Sequence, residues 1–182
     1  MDALSSRAVY ANAWMTVRED TFRRDDGSTG VYGVIDKPTY ALVIALEDEH
    51  VHLVEQFRYP LGKRRWEFPQ GTAPDRAELE PAVLARRELR EETGLQAGKL
   101  VPLGILDVAP GMCSQRGHVF LATDLTGGEP DRELDEQDMR SAWWTRTEFE
   151  HAVRNARVSD AQSVAAYALL LLHERSSSRP AG

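Results

Sequence analysis

The sequence contains one cysteine, Cys113. An intrachain disulfide and a thiolate zinc site are therefore excluded, and a reducing compartment such as the cytoplasm fits. Long apolar runs are also missing. The most apolar stretch, Val164 to Leu172, falls short of the ~20 residues that span a bilayer. The segment MDALSSRAVYANAW has neither the basic start nor the apolar core of a secretory signal, so none is expected. Positive charge is scarce: 22 Lys and Arg against 29 Asp and Glu leave a net charge of −7. Such a chain has no general field for nucleic acid, and an anionic ligand would need a local arginine cluster or a divalent cation. No internal repeat is found.

What is present is 42% hydrophobic and 28% charged residues over 182 positions, enough for one domain with a small appendage. Residues 14–36 read as two or three short strands. WMTVREDTF and TGVYGVID flank RRDDGS, whose Asp26-Gly27 pair is a strong hairpin signal. ALVIAL (41–46) is apolar on both faces and belongs in the centre of a sheet, with VHLVEQFR (51–58) beside it. A short strand around Trp66 to Phe68 is expected inside a loop rich in proline, glycine and charge. A helix starts at Pro81 and stops at Gly94. Strands are expected at 100–109, at 117–125 and at MRSAWWT. TRTEFEHAVRNARV reads as a short helix with Thr145 or Thr147 as N-cap, and SDAQSVAAYALLLLHER as a final helix capped by Ser159 or Asp160. The tail at 176–182 is expected to be disordered. Periodicity alone gives a layered α/β or α+β protein.

One stretch stands apart. RRELREETGL places three arginines and three glutamates within seven positions of the first helix. A solvated face laced with i,i+4 ion pairs is one reading. The other is chemical. Glu88 and Glu92 share a face, and carboxylates so spaced can hold a hard cation such as magnesium together with waters and phosphate oxygens. Glu91 sits beside them, Arg87 can pair with Glu91, and the loop Pro69-Gln70-Gly71 can offer the Gln70 carbonyl. Such a site suits cleavage of a phosphoanhydride.

Arg87, Glu88, Leu89, Glu91, Glu92, Gly94 and Leu95 resemble, position by position, the Nudix box GX5EX7REUXEEXGU, where U is a bulky aliphatic. The front half departs. The first glutamate falls on Leu79, between Glu78 and Glu80, and the glycine on Ala73, with Gly71 two residues earlier. A loop two residues longer before the helix accounts for the shift. The departure touches the anchoring of the helix more than its chemistry. The resemblance implies a Nudix α/β/α sandwich with a mixed sheet over residues 39–175, preceded by an antiparallel β segment at 1–38. It also implies hydrolysis supported by Mg2+ or Mn2+, with Glu88, Glu92 and the Gln70 carbonyl as metal ligands and Glu91 in support.

VEQFRYPLGKRRWEFPQGT resembles the Q-[YF]-R-x-P…W-E-[LF]-P-x-G segment of the ADP-ribose pyrophosphatase-like branch. Pro110 and the closing SDAQSVAAYALLL fit the same branch, in which the N-terminal segment helps form a dimer, often by exchange. The resemblance implies a cytoplasmic homodimer that cleaves a nucleoside diphosphate sugar, with ADP-ribose giving AMP and ribose 5-phosphate, and no nucleic-acid or membrane partner. Arg58 is the candidate for the diphosphate, since guanidinium matches phosphate bidentately; a cross-sheet ion pair is the competing reading. Arg64 and Arg65 point oppositely in an extended chain, so at most one faces a ligand. Trp66 borders the site or packs in the core. Trp14, Phe22 and Tyr32 either stack on a base or fill an interface. Gln115 stands where many relatives carry an acid; it can bond a ribose or base. The general base is expected in the acidic loop EPDRELDEQD, which offers Glu133, Asp135, Glu136 and Asp138. Glu136 is favoured and Glu91 is the alternative, against plain solvation of the loop. His118 and Cys113 read as structural.

Three rivals stay open. One is another diphosphate, such as GDP-mannose or a dinucleotide, which Gln115 keeps in play. The second is a Nudix-fold sensor without turnover. The third, an RNA decapping enzyme, needs a basic path that a charge of −7 does not favour.

Overall fold

The computed structural model describes residues 2–73, 77 and 79–177, without the side chain of Asp135. Glu78 and residues 178–182 of the expected tail lie outside the described residues, while Ser176 and Ser177 close the last helix. Three strands come first: β1 (Asp2–Ala11), β2 (Thr16–Arg23) and β3 (Thr29–Asp36), paired antiparallel in the order β1-β2-β3. The β2–β3 hairpin turns at Asp26-Gly27, where Gly27 takes φ 83°. The turn is closed by Asp26, which accepts from the Ser28 amide at 2.9 Å. No alternation marks β1 in the sequence, and its exposure explains why. All ten of its residues are exposed, including Leu4, Val9 and Tyr10.

The main sheet has seven strands. Five run in the order β10 (Arg140–Thr145), β5 (His50–Arg58), β4 (Tyr40–Glu47), β9 (Arg116–Thr126) and β8 (Gln96–Asp107). β6 (Lys63–Glu67) pairs with β5, and β7 (Gln70–Thr72) with β4. The β4–β9 pairing is parallel, which makes the sheet mixed. β4 is central, as its two-sided apolar pattern requires. Tyr40, Leu42 and Ile44 face one layer, built with α2 (Arg146–Arg154) and α3 (Ala161–Ser177). Ala41, Val43 and Ala45 face the other, under α1 (Pro81–Thr93). Each leucine-sized side chain so buried contributes roughly 1.5–3 kcal/mol. The result is helix, sheet, helix.

Local chemistry explains the helix limits. α2 begins with a complete capping box, in which Thr145 Oγ1 accepts from the Glu148 amide at 3.1 Å and the Glu148 carboxylate accepts from the Thr145 amide at 2.8 Å. At the start of α3, Asp160 accepts from the Ser163 amide at 2.8 Å. α1 starts on Pro81 and stops at Gly94, whose φ of 77° suits glycine. A Cβ at Gly94 would also lie 2.1 Å from the Gly128 carbonyl.

Strand β4 splits its neighbours, and this opens the site. Near its end it pairs with β5 at Leu46 and Glu47; at its start it pairs with β7 from Tyr40 to Leu42. Between the two, the Val43 amide donates to the Pro69 carbonyl at 2.9 Å. Arg58 at the end of β5, Arg65 and Glu67 on β6, and Gln70 and Gly71 on β7 line the cavity left by this divergence.

Candidate active site

α1 puts its two i,i+4 glutamates inward. Glu88 is 8% exposed and Glu92 1%. Glu92 accepts from the Gln70 amide through Oε2 at 3.2 Å, while its buried Oε1 has no hydrogen-bond partner among the described residues. The Glu88 carboxylate lies against β7. A Cβ on Gly71 would be 2.2 Å from Glu88 Oε2, so only glycine leaves this carboxylate its place. Ala73, at the expected glycine position, is instead buried among Leu84, Ala85 and Leu89 beneath the helix. The glycine requirement thus sits two residues earlier, where the carboxylate is.

Burial, then the neighbouring Glu91 and Glu136, push the Glu88 carboxyl up to about 8. Burial does the same to Glu92, which is held well above the usual carboxylate range with Glu136, Glu88 and Glu67 adding to the effect. The site therefore carries more carboxylate than its own cations neutralise. An orphaned buried oxygen, a carboxylate seated in a glycine cradle and a hard all-oxygen donor set fit a divalent cation. Among the described residues no three acidic, histidine or cysteine side chains form a ready-made cage.

The remaining candidates fall in different places. Arg87 donates through Nε to both Glu91 oxygens at 2.9 Å, fixing that carboxylate beside the pair. The acidic loop is pinned to the end of α1. The Asp131 amide donates to the Glu91 carbonyl at 2.9 Å, and Arg132 Nε donates to the Glu92 carbonyl at 3.1 Å. This brings Glu136 close enough to raise both Glu88 and Glu92. Its own carboxyl is raised too, by burial first and Glu133 second. Arg58 forms the ion pair of the competing reading, with the buried Glu67 at 2.6 Å, and it also lines the cavity. Gln115 lines the cavity but donates to the Pro38 carbonyl at 2.9 Å, bracing the end of the N-terminal segment.

Trp66 is not brought to this cavity. It packs on Trp144 at 4.9 Å between ring centres, against the core cluster on the α2 side. Tyr32 donates to the Gly111 carbonyl at 2.6 Å and meets Phe22 edge-on, which ties the N-terminal sheet to the loop after β8. Ile35 strengthens that tie through the Met112 carbonyl and the Ser114 amide. Trp14 is 67% exposed. Of the adjacent arginines, Arg64 turns to Glu55 and Asp138, and Arg65 lines the cavity.

Pattern reading left out Tyr40, Ser163 and Arg132, and gave Asp160 only as a cap of the final helix, a role it fills. Asp160 accepts from the Ser163 hydroxyl at 2.7 Å and from the Gln70 side-chain amide at 3.2 Å, and Ser163 accepts from the Phe68 amide at 2.9 Å. This chain links α3 to the strap that carries Gln70. The only prior signal was the spacing Asp-x-x-Ser, which reads equally as an ordinary cap.

The chain matches the NUDIX domain model over residues 36–167, and the nucleoside diphosphate sugar hydrolase N-terminal domain model over residues 1–35. It is 32% identical to the ADP-ribose pyrophosphatase of Mycobacterium tuberculosis, over 94% of this chain and 83% of the relative. It is 34% identical to the ADP-ribose pyrophosphatase of Bacillus subtilis, over 74% and 72%. The methanol dehydrogenase activator of Bacillus methanolicus is 28% identical over 94% and 92%. The crystal structure of an ADP compounds hydrolase shares the fold with a TM-score of 0.82 at 21% identity, over 98% of this chain and 96% of that one. Nudix hydrolases generally use divalent metal ions, and the inward glutamates of α1 are the residues that fit one here. With its box on α1, its mixed sandwich and its N-terminal antiparallel sheet, the chain belongs to the Nudix hydrolase family.

Proposed function

We propose that the protein hydrolyses the diphosphate of ADP-ribose to AMP and ribose 5-phosphate, with Mg2+ or Mn2+ as its metal. The observation that carries the reading is the buried carboxylate pair Glu88 and Glu92, set against Gly71 and Gln70, which with Arg58 line a cavity of about 520 Å3. Two close relatives named as ADP-ribose pyrophosphatases support the substrate. Glu88, Glu92 and the Gln70 carbonyl would hold the cation, with Glu91 beside them, steadied by Arg87. When bound, that cation neutralises diphosphate oxygens and makes a nearby water more acidic. Arg58 lines the cavity and would meet the diphosphate there, its charge shared with Glu67. Glu136 takes the proton of the attacking water, with Glu91 as the alternative base. The water oxygen bonds to one phosphorus as the bridging P–O bond breaks, and the second phosphate leaves with that electron pair. Trp66 supports this wall from the core side, and Gln115 holds the loop that faces the sugar.

The N-terminal segment 1–38 serves dimerisation, the hydrolase domain spans 39–175, and the protein works in the cytoplasm. The exposed apolar residues of β1 support a partner on that sheet. Among the described residues no helix is long and apolar enough to cross a membrane. A second reading has one favouring observation: Gln115 is neutral and already bonded to Pro38, so it adds no charge to discriminate the sugar.

The test is turnover of ADP-ribose, GDP-mannose, UDP-glucose, NADH and a diadenosine polyphosphate with millimolar Mg2+. ADP-ribose is expected to lead. Another leader replaces the substrate and keeps the metal helix; tight binding without turnover of any compound replaces the enzyme with a sensor.

A further inference from the structure

Phe68 and Pro69 join β6 to β7 and set where Gln70 enters the site. The strap runs between strands with different partners, since β6 pairs with β5 and β7 with β4. Phe68 is fully buried, so the polar groups of its backbone need partners within the protein. Pro69 has no amide to donate. The bonds that hold the strap come from three different elements. The Val43 amide of β4 donates to the Pro69 carbonyl at 2.9 Å. The Gln70 amide donates to Glu92 Oε2 on α1 at 3.2 Å. The Phe68 amide donates to Ser163 Oγ on α3 at 2.9 Å.

This last bond is more than helix capping. Asp160 caps α3 by accepting from the Ser163 amide at 2.8 Å, a bond that uses only the Ser163 backbone. The Ser163 hydroxyl, fully buried, donates to Asp160 Oδ2 at 2.7 Å. That donation fixes the hydroxyl rotor and leaves a lone pair for the Phe68 amide. Asp160 Oδ2 also accepts from the Gln70 side-chain amide at 3.2 Å, and the same Gln70 nitrogen lies 3.4 Å from Glu67 Oε2. The strap is therefore tied to α3 twice, through the Phe68 backbone and through the Gln70 side chain. Gln70 in turn holds Glu92.

We propose that Asp160 and Ser163 are positioning residues of the metal site. They fix the strap from α3, so that the Gln70 amide meets Glu92 and the Gln70 backbone keeps its place beside the cation. The role rests on the metal-site reading above and is exerted through Gln70. The bond pattern states what Asp160 must supply. All three donors meet one oxygen, Oδ2. An asparagine with its side-chain oxygen in that place keeps every bond and loses only the charge.

The test is Mn2+ binding to the full chain without substrate, followed by electron paramagnetic resonance. Wild type is compared with Glu92→Gln, Ser163→Ala, Asp160→Ala and Asp160→Asn, and melting temperature is read on the same samples. Glu92→Gln is expected to lose binding. Ser163→Ala and Asp160→Ala are expected to raise the Mn2+ Kd about tenfold, the lower end for outer partners of a metal site, and Asp160→Asn less than about twofold. A cap acting on α3 alone would lower the melting temperature of Asp160→Ala and leave the Mn2+ Kd of Ser163→Ala and Asp160→Ala unchanged. That result, beside lost binding in Glu92→Gln, overturns the positioning role and keeps the metal site. Asp160→Asn as weak as Asp160→Ala would assign the effect to charge and overturn the role of Asp160. Binding retained in Glu92→Gln, or absent in wild type, removes the metal site and the positioning role together. The choice of substrate does not enter, because no arm needs turnover.

Discussion

The α1 wall of the site and the cavity wall beside it differ in what they leave unpaired. On α1, acceptors crowd together: Glu92 Oε1 has no donor among the described residues, and Glu88 and Glu92 both hold protons far more tightly than a solvated carboxylate. In the cavity the groups are mixed: among the described residues the Tyr40 hydroxyl and Arg65 Nε have no acceptor, while Glu67 is ion-paired with Arg58. Each arrangement costs stability in the isolated chain, because a buried polar group without a partner forfeits its hydration. Under the proposed function, a divalent cation would meet the unpaired acceptors of α1 and a diphosphate the donors of the cavity. A diphosphate with its divalent ion presents both at once. Gln70 joins the two walls, its amide on Glu92 and its side chain on Asp160.

If α1 is the cation wall, removing one charge there has the largest effect. Glu92→Gln keeps the size and the bond to Gln70 but replaces an anionic oxygen. We expect turnover to fall by well over the roughly 10–100-fold typical of losing an outer partner of a metal site. The apo protein should be as stable as wild type or more so at neutral pH, since a carboxyl that must take up a proton to be buried is replaced by a neutral amide. Near-normal rates would remove Glu92 from the metal site. A large loss of melting temperature in metal-free buffer would instead show that its role is structural.

Gly71→Ala sharpens the same contrast without touching a charge. The new methyl would stand 2.2 Å from Glu88 Oε2 and must push that carboxylate out of its seat. Turnover should drop about 10–100-fold, and the Mg2+ concentration needed for half-maximal rate should rise. Unchanged metal dependence would mean that Glu88 finds an equivalent position and the cradle is incidental.

How legible these walls were in the sequence differs for the same physical reason that they differ in chemistry. The α1 wall was readable because helical spacing places residues four apart on one face, so Glu88, Glu92 and the Arg87–Glu91 pair followed from order alone. Pro81 and Gly94 likewise marked the helix ends, and the two-sided apolar run 41–46 marked the central strand. The cavity wall draws on β4, β6, the end of β3 and the start of α3, and no local pattern links Lys37, Tyr40, Arg65 and Asp160. Tyr40 falls just before the apolar run 41–46 and drew no reading of its own. Trp66 could have faced either side of β6; its pairing with Trp144 on β10 settles the side, and both strands reach it only through β5. The displaced box glycine was visible as a mismatch. Its cause, a carboxylate needing space at residue 71, exists only once β7 lies against α1.

The smallest expected effect is on pH, and it separates the α1 wall from the rest of the molecule. Folding raises the Glu88 carboxyl from its ordinary 4.5 to about 8. Between these values the folded chain holds a proton that the unfolded chain has released, so metal-free stability falls as pH rises through this window. One such proton sets a limit of about 1.4 kcal/mol per pH unit, and Glu92 acts in the same direction. His52 acts oppositely: burial lowers its imidazole from 6.5 to about 4, so below 6.5 the unfolded chain gains a proton the folded chain refuses. The window from about 6.5 to about 8 is therefore the one in which Glu88 is read without His52. Melting temperature in metal-free buffer should decline across it, and Glu88→Gln should flatten the decline. Mg2+ should flatten it as well, since a bound cation takes the place of the protons and releases them. A slope identical in wild type and Glu88→Gln would mean that the Glu88 carboxylate is already relieved within the chain, leaving no deficit on that wall for a cation to fill.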